Sequence, residues 1–150
     1  MADSDEARLG DGEALRELRA RYTHTYDSGQ LENFVDLFVE EGVLQLGPMG
    51  FAEGREQMRA ALAGPMANAA FAVHFTTDEI TEFTGPDSAR GTSRFAVHYG
   101  RQPDIEGAGT YHDEYLRTAD GWRFVSRTID FFYMGPRGLA WPMTPPKLSP

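Results

Sequence analysis

Residues 71–83 read FAVHFTTDEITEF, and their density of β-branched and aromatic side chains marks a strand rather than a helix. Three more segments of the same kind follow at roughly 88–99, 108–117 and 121–133. The turn signals Gly85-Pro86-Asp87, Gln102-Pro103-Asp104 and Ala119-Asp120-Gly121 separate them, so the second half of the chain reads as consecutive antiparallel strands. Upstream the period changes. Leu15, Leu18, Tyr22 and Tyr26 are spaced by three, four and four, with Arg16, Glu17, Arg19 and Arg21 on the other side, which predicts a helix stopped at Ser28-Gly29. Leu31, Phe34, Val35 and Phe38 predict a second, short helix with Gly42 just beyond it. Val43 to Leu46 reads as a short strand, Gly47-Pro48 breaks it, and Gly54 to Leu62 reads as a third helix. Helices first and strands after argue for an α+β fold, in which three helices cover one face of a curved antiparallel sheet.

The chain of 150 residues is the length of one domain. Its first twelve residues are acidic with few large apolar side chains and read as a disordered lead-in. The domain proper is expected over 13–134, and residues 135–150 form a Pro-rich tail carrying Leu139, Trp141 and Met143, read as a lid or a subunit contact. A net charge of −9 argues against nucleic acid and anionic membrane surfaces as partners. Neither a transmembrane run nor an export signal is visible, so a cytoplasmic protein is expected. Zero cysteines exclude disulfides, thiol nucleophiles and cysteine-based zinc sites. Of the 14 basic residues only Lys147 is a lysine, which leaves Schiff-base chemistry without a plausible amine. Phosphate-binding glycine loops, a nucleophile elbow and paired helical metal-ligand histidines are all missing, so neither cofactor nor metal is expected.

Four histidines remain for acid–base work. His24 lies off the apolar stripe of its helix, His98 sits near a strand end, and His112 faces away from Tyr111 and Asp113. His74 is set in the apolar run Phe71-Ala72-Val73-His74-Phe75, where a buried imidazole needs partners for both nitrogens. A satisfied structural histidine and a catalytic one both fit that spacing. Asp27 ends its helix at the negative pole of the macrodipole, a position that disfavours a carboxylate. Arg127 shares a face with Val125, Ile129 and Phe131 in strict alternation and requires either an anion in the site or a structural pair with Asp113.

The ordered set Tyr22-x-x-x-Tyr26-Asp27, Leu31-x-x-Phe34-x-x-Leu37-Phe38, Gly54-Arg55-Glu56, His74-Phe75, Gly109-Thr110-Tyr111-x-Asp113-Glu114-Tyr115 and Asp120-Gly121-Trp122-Arg123-Phe124 resembles the SnoaL-like branch of the nuclear transport factor 2-like superfamily, over about residues 12–133. Within that branch it is most similar to the group of scytalone dehydratase, bile-acid 7α-dehydratase and hexachlorocyclohexane dehydrochlorinase. The resemblance implies a cone-shaped α+β fold around a deep apolar pocket and cofactor-free lyase chemistry. It implies that Asp27 orients His74 as a proton-abstracting base, that Arg127 steadies the leaving group, that Tyr26 supplies a hydroxyl, and that Tyr111 walls the pocket. The candidate pocket set is Tyr22, Tyr111, Asp113, Phe131 and Trp141. The second pocket histidine of scytalone dehydratase has no counterpart on the strand ending here in Gly107-Ala108-Gly109.

The resulting expectation is a lyase or isomerase that takes a proton from an apolar cyclic small molecule. A polyketide or terpenoid cyclase of natural-product biosynthesis is the nearest variant. A non-catalytic binding module or small oxygenase subunit is the alternative from another class. The resemblance further implies a homodimer or homotrimer.

Overall fold

The computed structural model describes residues 2–101 and 103–138. Helix α1 (Ala2–Asp27) leads into a five-residue helix α2 (Leu31–Val35), strand β1 (Phe38–Gln45), a 3-10 turn at Gly47–Met49 and a short strand β2 (Phe51–Glu53). Helix α3 (Gly54–Asn68) then precedes four long strands, β3 (Phe71–Phe83), β4 (Ser88–Gly100), β5 (Ile105–Thr118) and β6 (Gly121–Pro136). The strands form one six-stranded sheet in the order β2-β1-β6-β5-β4-β3. The fold is the expected α+β cone, an open sheet partly wrapped around three helices.

Three local expectations are corrected. The sheet is mixed, because β1 runs parallel to β6 while every other neighbour is antiparallel. The long excursion through β2, α3 and three strands separates β1 from β6, and no local turn constrains their relative direction. The second helix ends at Val35, and Phe38 opens β1 instead of closing a helix. Phe38 nevertheless points inward as Phe34 does, with their rings 5.9 Å apart. Helix α1 begins at Ala2, so the acidic lead-in is helical. Its Asp11 accepts from the guanidinium of Arg117 and from Trp122 Nε1, which ties the early turns to the β5–β6 hairpin. The pair with Arg117 holds the Asp11 carboxyl below its ordinary value.

The core lies between α1, α2 and the concave face of the sheet. Leu15, Leu18 and Tyr22 meet Phe34, Val35, Phe38, Tyr111, Tyr115 and Phe124 there, all buried. Arg19, expected on the polar side of α1, is buried as well, pairing with Glu79 and donating to Thr81 and Tyr115. A bulge in β3 at Asp78, whose φ is +55°, accompanies the turn of Glu79 toward that arginine. Arg55 of the Gly-Arg-Glu stretch donates to the Phe38 carbonyl from both Nε and Nη2, fastening α3 to the start of β1. The turn after α1 requires Gly29 at φ +70°, and its amide donates to the Tyr26 carbonyl (3.0 Å). That stop leaves Asp27 at the very end of the helix, facing β3.

Candidate active site

Asp27 reaches across from the end of α1 to His74 on β3. Its Oδ2 accepts the backbone N–H of His74 (2.8 Å), and its Oδ1 lies 2.5 Å from the ring Nδ1. Two bonds from one carboxylate fix both the position of the strand residue and the rotation of its ring, and they offset the unfavourable helix pole. A carboxylate only accepts, so the proton sits on Nδ1 and the lone pair on Nε2. The His74 side chain is 6% exposed and that of Asp27 21%, so the pair is shielded from water.

Two tyrosines hold the imidazole in place. Tyr26 meets its ring edge-on at 5.2 Å and Tyr99 at 5.7 Å. The Tyr99 hydroxyl stands 3.4 Å from Nε2, a long contact that a substrate can displace. Burial pushes the phenols of Tyr26 and Tyr99 above their ordinary value. Both therefore remain protonated at neutral pH, as donors beside the imidazole.

His74 lines a cavity of about 490 Å³, within the usual range for small-molecule sites. Tyr22 and Tyr26 of α1, Leu62 and Pro65 of α3, Leu44 of β1 and Ile129, Phe131 and Met134 of β6 contribute its walls, together with His74, Tyr99 and Arg101. The lining is apolar except for those tyrosines, the histidine and one arginine. Other hollows are of a different character. One of about 320 Å³ on the outer face of the sheet has Glu82, Arg90, His112 and Glu114 around it. Another of about 600 Å³ beside α1 is bordered by Glu17, Arg21, Asp36 and Arg123. Both are bordered mainly by charged and polar side chains. Among the described residues no cluster of His, Asp and Glu is arranged to hold a metal ion, and no helix is long and apolar enough to cross a membrane.

The structure thus brings together Asp27, His74, Tyr26, Tyr22 and Phe131. It does not bring Arg127, Asp113 or Tyr111 to the cavity. Arg127 is fully buried, and its Nε and Nη2 donate to the two oxygens of Asp113 at 2.7 Å each. The guanidinium carbon lies 4.1 Å from the ring of Tyr22 and 4.0 Å from that of Tyr111, so these aromatics stand over the cation. Tyr111 in turn stacks on Phe95 at 4.3 Å. The alternation that grouped Arg127 with Val125 fails, because the ladder shifts by one between Glu114 and Tyr115, which leaves Phe124 and Arg127 both inward. Trp141 lies outside the described residues.

Two polar residues of the cavity escaped the sequence reading, Tyr99 and Arg101. Their signal was present, since Phe95, Val97, Tyr99 and Arg101 alternate along one face of β4 and its end. His24 and His112 are exposed, and His98 packs against Phe75 on the other face.

The SnoaL-like domain model matches residues 7–128. A candidate scytalone dehydratase from Novosphingobium aromaticivorans superposes with a TM-score of 0.82 at 20% identity, covering 96% of this chain and 98% of that one. A candidate aromatic ring hydroxylase from the same organism gives 0.81 at 22%, covering 85% and 94%. A type 2 hexachlorocyclohexane dehydrochlorinase (LinA) gives 0.81 at 19%, covering 96% and 99%. At these identities the likeness is one of fold. No curated protein matches the sequence.

Proposed function

The chain belongs to the SnoaL-like domain family, and on that premise we propose that it is a lyase or isomerase in which His74, oriented by Asp27, removes a proton from an apolar cyclic substrate. The observation that carries this reading is the aspartate-bound imidazole that lines an apolar cavity. A dehydratase and a dehydrochlorinase among the similar folds fit it. Nε2 takes the proton from a carbon next to the one bearing the leaving group. The C–H electron pair becomes the new double bond, and the carbon–oxygen or carbon–halogen bond breaks. A departing hydroxyl takes a proton from the imidazolium or a flanking phenol and leaves as water, whereas a halide leaves as the anion. Return of the proton to a different carbon is isomerisation by the same group.

General-base catalysis of this kind contributes about 10²- to 10⁴-fold, and its loss should be of that size. The test is incubation in D₂O with a panel of cyclic β-hydroxy ketones and alicyclic halides, followed by mass and NMR analysis. Elimination or deuterium uptake beside the activating group is expected with the wild type, and loss by at least about 10²-fold in Asp27→Asn and His74→Gln. Panel members that bind without exchange or turnover, equally in all three proteins, would establish a binding module instead.

A further inference from the structure

Arg101 sits where β4 leaves the sheet, beyond Gly100, whose carbonyl accepts the amide of Ala70 (2.9 Å). It lines the same cavity as His74 and is the one permanent cation among the lining residues. Its hydrogen bonding is sparse. Nη2 makes one long bond, 3.4 Å, to the Pro65 carbonyl, and Nε is buried without a partner. Among the described residues no carboxylate lies within ion-pair distance of it, whereas the buried Arg19 and Arg127, each also with one unpartnered nitrogen, both have one. A half-buried guanidinium without an anion is a standing cost to the fold, and the cavity it lines is otherwise short of polar atoms.

Resting on the reading of this cavity as a substrate site, we propose that Arg101 is its specificity residue and that the ligand carries a carboxylate attached to its ring system. A planar guanidinium pairs with a carboxylate through two parallel bonds. One cation balances a monoanion, whereas a phosphate ester would leave excess charge in an apolar chamber. The geometry suits a single small molecule spanning both groups. The Tyr99 ring is 5.4 Å from the Arg101 guanidinium carbon and 5.7 Å from the imidazole, so cation and base lie at most two such spans apart. One or two fused rings bearing a carboxylate bridge that distance, with the apolar body against Leu44, Leu62 and Ile129. The carboxylate then sits away from the carbon that loses its proton, and Arg101 sets orientation rather than chemistry.

The test compares decalin-2-carboxylate with decalin-2-carboxamide by calorimetry at pH 8, where the acid is ionised. A charge-assisted bidentate pair is expected to favour the carboxylate by about ten- to hundredfold in the wild type. Arg101→Gln should abolish that preference, chiefly by weakening carboxylate binding, and Arg101→Lys should retain part of it. Equal binding of the two compounds by the wild type, including binding of neither, overturns the assignment, as does a preference that survives Arg101→Gln. His74→Gln separates this inference from the lyase reading. A carboxylate preference that persists in His74→Gln, in a protein that turns over no panel member, refutes the base and upholds the arginine. Turnover of neutral substrates without any preference does the reverse.

Discussion

Removing the anion from the buried Arg127–Asp113 pair should cost more stability than any surface change in the molecule. The side chains are 1% and 0% exposed, respectively. Arg127 makes both its bonds to Asp113, and Tyr115 donates a third to the same carboxylate (2.6 Å). Burial alone would lower the affinity of the guanidinium for its proton, but the charge of Asp113 and its bonds raise it overall, so the cation persists. In Asp113→Asn the amide oxygen can still accept from Nε, while the amide NH₂ faces a second donor at Nη2. An uncompensated buried charge of this kind costs about 3–5 kcal/mol. With a urea slope of about 2 kcal/mol/M, the unfolding midpoint should fall by about 2 M. Circular dichroism and Trp122 fluorescence would follow the transition. The paired change Asp113→Leu with Arg127→Met should recover most of the loss, because both desolvation penalties disappear together. A loss below about 1 kcal/mol in Asp113→Asn, or a double variant as unstable as the two single losses combined, refutes the account. The double variant also decides whether the arginine has a second role. Standing behind Tyr22 and Tyr111, it should affect turnover by less than about tenfold, whereas a group stabilising charge at the reacting atoms would cost about 10² or more.

Two further outcomes follow from burial and close approach. Burial raises the phenols of Tyr22, Tyr26, Tyr99, Tyr111 and Tyr115. Stability should therefore hold steady up to about pH 10 and fall above it, because the unfolded chain releases phenolic protons that the folded chain retains. Phenolate absorbance at 295 nm should develop together with loss of the native circular dichroism, and smooth ionisation of all six tyrosines with the fold intact would contradict this. A Cβ on Gly109 would lie 2.1 Å from the Asp130 carbonyl oxygen and 2.8 Å from the Phe95 ring, so Gly109→Ala should cost about 3 kcal/mol or prevent folding. Gly10→Ala meets nothing within 4 Å on α1 and should instead stabilise by about 0.5–1 kcal/mol. No effect at Gly10 would mean that the early turns of α1 do not contribute as helix.

The four long strands were legible because each is a local pattern bounded by its own turn chemistry. Helix α1 was legible from Leu15 onward for the same reason. What escaped depended on partners far along the chain. Arg19 reads as a surface residue until Glu79 and Tyr115, 60 and 96 positions later, are folded against it. The direction of β1 beside β6 has no local signature, and the bulge at Val125 turns a correct alternation into the wrong face. Phe38 misled because a helical i+4 position and the first residue of the next strand both point it at the core. Asp27 and His74 were readable individually as residues in the wrong place, a carboxylate at a helix C-terminus and an imidazole in an apolar run. Only the family resemblance suggested that each explains the other.

That observation separates site from scaffold in this molecule. Five groups violate the local preference of their element: Arg19, Arg127, Asp27, His74 and Arg101. For Arg19 and Arg127 the charge is met inside the protein by Glu79 and Asp113, although Nε of Arg19 and Nη1 of Arg127 stay without a partner. Asp27 spends its bonds on His74, which moves the unmet capacity outward to the Nε2 lone pair, held only by a long contact to Tyr99. Among the described residues Arg101 has no carboxylate partner, unlike Arg19 and Arg127. Both residual capacities, one basic and one cationic, border the same apolar cavity. A structural ion pair closes on itself, because an unpaired charge in a dry interior costs free energy. An incompletely closed set that converges on a cavity is therefore explained by what the cavity receives. On the proposed reading the complement is a molecule with an acidic C–H at one end, a carboxylate at the other and an apolar body between.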